Sequence, residues 1–217
     1  SFYQGTTQFG YFTPKALSIQ KGLDRGEKVP PWFKRNGLNQ ADGVEIDLTS
    51  PENRNQYFSV DPTKPSFRLA GEQLEFLDSA VIFEKGGQYN QGYVYGFKKV
   101  DPSDWFYPCH FYKDPVMPGS LGVEAILQAV RLFALQQELG NGFRSPHFGH
   151  VPGTTEWKYS GQIIPDNDRM EIEVHIKTID QLENKIIIKA DANLWKDGIR
   201  IYQITDAAVS LQESHIV

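Results

Sequence analysis

The stretch PGSLGVEAILQAVRLFALQQELG, Pro118 to Gly140, decides the fold. Pro118 stands just before or at the first helical position, where a missing N–H costs nothing, and Gly140 offers a left-handed stop. Between them Leu121, Val123, Ala125, Ile126, Leu127, Ala129, Val130, Leu132, Phe133, Ala134 and Leu135 cover nearly the whole circumference. A helix apolar on all sides is enclosed by other elements. The spacing predicts a buried helix from Gly119 or Ser120 to about Leu139.

Upstream, Gln73 to Phe83 carries the apolar run Ala80-Val81-Ile82-Phe83, Gly86-Gly87 turns the chain, and Gly92 to Val100 alternates aromatics with small or charged residues. That is a hairpin pattern. Downstream, four strands are expected at roughly 155–164, 169–180, 185–195 and 199–211. Their connections are Pro165-Asp166-Asn167, the 180–184 loop and a tight Asp197-Gly198 turn. One buried helix among about six mainly antiparallel strands is an α+β layout. A sheet curled around a central helix is the hot-dog fold, expected here over residues 66–217.

Residues 1–65 have a different texture. Pro30-Pro31, Asn36-Gly37, Asp42-Gly43 and the 61–65 stretch break every run, so only one helix is expected, from Thr13-Pro14 through Ala16, Leu17 and Gln20 to Gly22. Phe9, Tyr11, Phe12, Trp32 and Phe33 are too many aromatics for a free linker. The segment reads as a connector arm packed on the hot dog. A chain that begins at Ser1 without methionine reads as part of a longer one.

The 217 residues carry 22 Lys+Arg against 27 Asp+Glu, a net charge of −5, with 40% hydrophobic and 13% aromatic residues. This composition excludes a disordered chain, and the acidity without a basic cluster argues against a nucleic-acid partner. A lone cysteine, Cys109, cannot form an internal bridge and points weakly to a reducing compartment. No apolar run reaches the roughly 18 residues of a membrane span, and residues 1–10 lack a signal-peptide pattern, so a cytoplasmic protein is expected.

Glu124 is the outlier on the apolar helix, and burial there would leave its carboxyl poorly solvated, as a general acid requires. The competing reading is a structural carboxylate paired with an arginine. His110 ends the aromatic run Trp105 to Tyr112, ahead of the turn at Lys113-Asp114-Pro115. Alone, it reads as a core histidine. Together with Glu124 after the turn, it supplies a base and an acid around one helix entrance. Between them the Gly119 amide, at a helix N-terminus, can stabilise an oxyanion. Base, acid and oxyanion donor suffice to remove a proton beside a carbonyl and expel a hydroxyl. Cys109, adjacent to His110 in a segment read as extended, is expected to point to the opposite face as a small buried thiol. His147 and His150 lack a third ligand at metal spacing and read as loop residues, so no metal site is expected. His175 and His215 carry no signal. Trp157 and Tyr159 are expected to face inward from a strand whose Glu156 and Lys158 face solvent.

The segment Cys109-His110-Phe111-Tyr112-Lys113-Asp114-Pro115-Val116-Met117-Pro118-Gly119-Ser120-Leu121-Gly122-Val123-Glu124-Ala125 resembles the signature of the β-hydroxydecanoyl thioester dehydratases, hot-dog enzymes of fatty acid synthesis. The likeness continues through Gln128, the Tyr159 to Pro165 strand and the Asp197-Gly198 turn, covering about residues 66–213. The Ser120 to Glu124 wording and Phe9-Gly10-Tyr11-Phe12 most resemble dehydratase domains of multidomain polyunsaturated fatty acid synthases.

The resemblance implies that His110 takes the C2 proton of a 3-hydroxyacyl thioester, Glu124 protonates the leaving hydroxyl and the Gly119 amide polarises the carbonyl. Gln128, Val116 and Cys109 would line the same site. It also implies a homodimer or a sister hot dog, because in this family the His and the acid of one site come from different hot dogs. The substrate would arrive on the phosphopantetheine of an acyl carrier protein, with no other cofactor. Lys113, Arg131, Arg144 and Lys185 are the basic residues considered for docking that acidic carrier, and an apolar acyl tunnel would run along the helix. Stand-alone dehydratase/isomerases usually carry Asp where this chain has Glu124, which separates dehydration from the trans-2 to cis-3 shift. A hot-dog thioesterase and a non-catalytic hot-dog module are the alternatives.

Overall fold

A computed structural model describes residues 13, 15, 20–62, 64 and 66–213. In chain order its elements are helix α1 (Trp32–Arg35), strand β1 (Val44–Asp47), helix α2 (Pro51–Phe58), strands β2 (Ser79–Phe83) and β3 (Tyr93–Lys99), helix α3 (Gly119–Gln136), and strands β4 (Pro146–Gly149), β5 (Glu156–Tyr159), β6 (Arg169–Leu182), β7 (Lys185–Lys196) and β8 (Ile199–Glu213). All eight strands form one antiparallel sheet in the order β1-β2-β3-β6-β7-β8-β4, with β5 also on β8. The sheet curls around α3, which packs on β3, β6, β7 and β8. This is the expected hot-dog fold.

Period-two patterning explains the curl's inner lining. Met170, Ile172, Val174 and Ile176 of β6 and Ile186, Ile188, Ala190, Ala192 and Leu194 of β7 turn one face to α3. Register shifts follow Ile176 in β6 and Ala190 in β7, and Asp206 opposite the latter has φ 59°. Such irregularities bend a strand, and here they lie where the sheet wraps the helix.

The outer face is also covered. Phe33 packs on Phe83, Tyr93 and Tyr95, with ring centroids 5.0 to 6.4 Å away. Beneath it the alternate residues of β6, Glu171, Glu173 and His175, are polar yet buried. Glu173 accepts hydrogen bonds from the Trp32 amide at 2.7 Å, the Tyr93 hydroxyl at 2.9 Å and the Asn193 amide at 2.9 Å. Arg200 forks onto both carboxylate oxygens of Asp24 at 2.9 and 2.5 Å, and the Trp195 indole donates to the Val29 carbonyl. Charged groups can remain beneath the arm because each finds a partner there.

Several elements differ from expectation. The helix expected from Thr13 to Gly22 falls largely outside the described residues. Instead the segment before residue 65 contains β1 and α2, which starts at Ser50, whose hydroxyl accepts from the Asn53 amide, with Pro51 in the first turn. Helix α2 is polar and buries mainly Tyr57, so it gives no amphipathic signal. Its Tyr57 hydroxyl donates to Gln136 of α3 at 2.6 Å. Helix α3 ends at Gln136, before the expected Leu139, and Glu138 takes the left-handed position at φ 51°. The Glu138 amide donates to the Leu135 carbonyl and that of Leu139 to Ala134, each at 3.0 Å, a Schellman closure without glycine. Gly140 is needed for space: a Cβ there would lie 2.4 Å from the Phe67 ring.

Candidate active site

His110 follows a tight turn, not the extended segment expected, since its amide donates to the Phe106 carbonyl at 2.9 Å. Lys113, with φ 57°, reverses the chain and brings Val116 back beside the imidazole. His110 Nδ1 lies 2.8 Å from the Val116 carbonyl oxygen. A carbonyl only accepts, so Nδ1 carries a proton, and in the neutral ring the lone pair is on Nε2. The half-buried ring stacks on Phe111, centroids 4.0 Å apart. The turn also explains why Cys109 is exposed rather than buried, its thiol donating to the Trp105 carbonyl at 3.2 Å.

Gly119 opens α3, so its amide has no intrahelical acceptor. A Cβ on Gly119 would lie 2.8 Å from the Trp157 ring, and one on Gly122 would lie 2.5 Å from the Tyr202 ring. The Tyr202 hydroxyl donates to the Gly119 carbonyl at 3.2 Å. Trp157, Tyr159 and Tyr202 form a cluster with centroids 5.0 to 5.4 Å apart. Trp157 and Tyr159 share one face, but they are 40% and 45% exposed, not inward as expected. All four residues of strand β5 are exposed.

Glu124 lies on a partly exposed stripe of α3 with Leu127, Arg131 and Leu135. The helix is therefore not enclosed on every side, and the carboxylate is better solvated than expected, its side chain 24% exposed. Glu124 Oε1 is 2.5 Å from Arg131 Nη1 and 3.4 Å from Gln128 Nε2. Gln128 itself is buried; its Oε1 accepts from the Phe76 amide at 3.1 Å and its Nε2 donates to the Leu74 carbonyl. It fixes α3 to the segment before β2. Arg131, considered for carrier docking, places its guanidinium on Glu124. The i, i+4, i+7 spacing of Glu124, Gln128 and Arg131 was the available signal for this row.

His110 and Glu124 are not joined by any hydrogen bond or ion pair among the described residues. Val116, whose carbonyl holds His110, lines a cavity of about 530 Å³ with Asp114, Gln162 and Lys196. Glu124 lines a separate open depression of about 320 Å³ with Arg68, Arg131 and Phe148. Lys196 donates to the Gln162 carbonyl at 2.6 Å, and burial pulls its ammonium below the usual lysine range. His147 is paired with Gln212, His175 is buried beside Glu173, and His215 lies outside the described residues. No helix of the described residues is long and apolar enough to cross a membrane.

The FabA-like domain matches residues 69–205, from before β2 into β8. This chain belongs to the FabA-like family. The match includes both His110 and Glu124. The FabA-like chain is 38% identical over 213 residues to a component polypeptide of the polyunsaturated fatty acid synthase of Thraustochytrium sp. (strain ATCC 26185 / S-3). That alignment covers 97% of this chain and 14% of the relative, so the chain spans about one seventh of the relative's length. Among solved structures, an inactive mutant of the CurJ dehydratase in complex with a compound aligns with a TM-score of 0.51 at 16% identity, covering 85% of this chain and 52% of that one. The dehydratase heterocomplex ApeI:P from Xenorhabdus doucetiae aligns with a TM-score of 0.45 at 11% identity, covering 68% and 88%. The CurJ likeness in fold covers more of this chain than the family match does.

Proposed function

We propose that this FabA-like domain dehydrates (3R)-hydroxyacyl thioesters on acyl carrier protein to trans-2-enoyl thioesters, in the cytoplasm, within polyunsaturated fatty acid synthesis. The observation that carries the reading is the 2.8 Å contact of His110 Nδ1 with the Val116 carbonyl, which leaves Nε2 as a base. In this reading Nε2 takes the C2 proton, electrons move toward the thioester carbonyl, and the Gly119 amide stabilises the developing oxyanion. Glu124, entering the step protonated on Oε2, delivers that proton to the departing hydroxyl; water leaves, with His110 left as imidazolium and Glu124 as the carboxylate. Proton transfers between side chains need no metal or redox cofactor.

The partner is a second hot dog, either a copy of this chain or a sister domain. Support comes from the lack of any hydrogen bond or ion pair between His110 and Glu124 among the described residues, and from β5, a short strand that pairs with β8 and carries exposed Trp157 and Tyr159. An acid supplied by the partner would complete the pair.

The test is incubation with a 3-hydroxyacyl pantetheine thioester, following enoyl absorbance against release of free thiol. Enoyl product without thiol supports the dehydratase. Thiol release alone supports the thioesterase, and neither signal supports a non-catalytic module. Product analysis separates trans-2 from cis-3 double bonds.

A further inference from the structure

We infer that Arg131 is the positioning residue of Glu124, an inference that rests on the dehydratase reading. Glu124 and Arg131 are seven residues apart, about 10.5 Å along a helix. Their side chains must both extend along the axis to meet at 2.5 Å. Extending two long side chains costs rotamer entropy, and a partly exposed ion pair returns little stability. Its consequence is geometric. Both donors, Arg131 Nη1 and Gln128 Nε2, address Oε1 of Glu124. Oε2 has no hydrogen bond among the described residues, and the side chain borders the open depression.

Gln128 cannot hold the carboxylate alone. Its amide already bridges the Leu74 carbonyl and the Phe76 amide, and its reach to Glu124 is the long one at 3.4 Å. Arg68, the other cation at the depression, donates to the Phe58 and Leu69 carbonyls at 3.2 Å. Arg131 therefore sets where the carboxyl sits, with one oxygen clamped and the other presented outward to the reacting hydroxyl.

The experiment measures kcat and KM for the wild type, R131M, R131K, E124Q and the E124Q/R131M double variant, with thermal melts for each. R131M should lower kcat about 10- to 100-fold with KM changed by less than about twofold, the signature of a misplaced catalytic group. R131K should recover part of the loss. In the E124Q background, R131M should change nothing further, because Arg131 acts through the carboxyl. Should R131M fail to fold, R131Q takes its place in the same cycle. An unchanged kcat in R131M, or an equal loss with and without Glu124, overturns the inference while leaving the dehydratase reading intact. A folded wild type that forms no enoyl product removes that reading and this inference with it.

Discussion

His110 and Val116 are joined across five intervening residues by a 2.8 Å contact from imidazole Nδ1 to a backbone carbonyl oxygen. A main-chain acceptor cannot be deleted by side-chain mutation or change charge with pH, so it holds the ring in one tautomer wherever the loop is folded. His110→Gln should keep the fold and lower the elimination rate by roughly 10² to 10⁴, the contribution of a general base. Enoyl formation at matched circular dichroism checks this; a rate within a few fold of wild type contradicts the role.

Gly119 and Gly122 should respond differently to alanine. At Gly122 the added Cβ meets the ring of Tyr202, which is 2% exposed and cannot move aside. G122A should cost about 1 to 3 kcal/mol by overpacking, read from urea unfolding. At Gly119 the obstacle is Trp157, 40% exposed and free to shift. G119A should change stability by only about 0.5 kcal/mol while altering tryptophan fluorescence.

Glu173 gives a pH prediction. Burial acts to raise its carboxyl, but the His175 imidazole, the Trp32 amide and the Tyr93 hydroxyl outweigh burial and hold it below the usual carboxylate range. A group lowered in the folded state stabilises the fold above its unfolded value, and that contribution is lost as pH falls through the folded value. Unfolding free energy should therefore drop as pH falls below about 4.3, the ordinary value for glutamate. E173Q should be less stable at pH 7 by about 1 to 3 kcal/mol, since its amide meets donors with a donor. Its stability should also vary less with acid. Urea melts across this range decide, and equal slopes for both proteins would remove the assignment.

Phe33→Ala should destabilise by about 3 to 5 kcal/mol, as for a buried aromatic in any core. Phe33 is 2% exposed among Phe83, Tyr93 and Tyr95. A loss below about 1 kcal/mol, well under that of a core aromatic, would show that the outer face does not depend on this contact.

The hot-dog layout was legible because its signals are local. The α3 residues are apolar around most of the circumference, and β6, β7 and β8 alternate between short turns. The strands missed, β1 and β4, are four residues each and acquire their identity only by pairing with β2 and β8. The polar helix α2 escaped notice because it has little apolar face, although its Ser50-Pro51 start was readable. At the site, residue types and spacing pointed to His110, Gly119 and Glu124. Nothing in the letters could show that a backbone oxygen at Val116 selects the imidazole tautomer, or that the 105–110 run is a turn exposing Cys109. The arginine pairing of Glu124 was readable as an alternative, but Arg131, two helical turns away, was read only as a docking cation, because the spacing does not show that two extended side chains meet.

The covered outer face of the sheet has a practical consequence for transplanting this domain. A chimera cut at residue 69, where the family match begins, would discard Asp24, Val29, Trp32 and Phe33 and strand Arg200, Trp195, Glu173 and Tyr95 without their partners. The cut belongs upstream of Gln20, so that the graft brings along the groups that neutralise its own exterior.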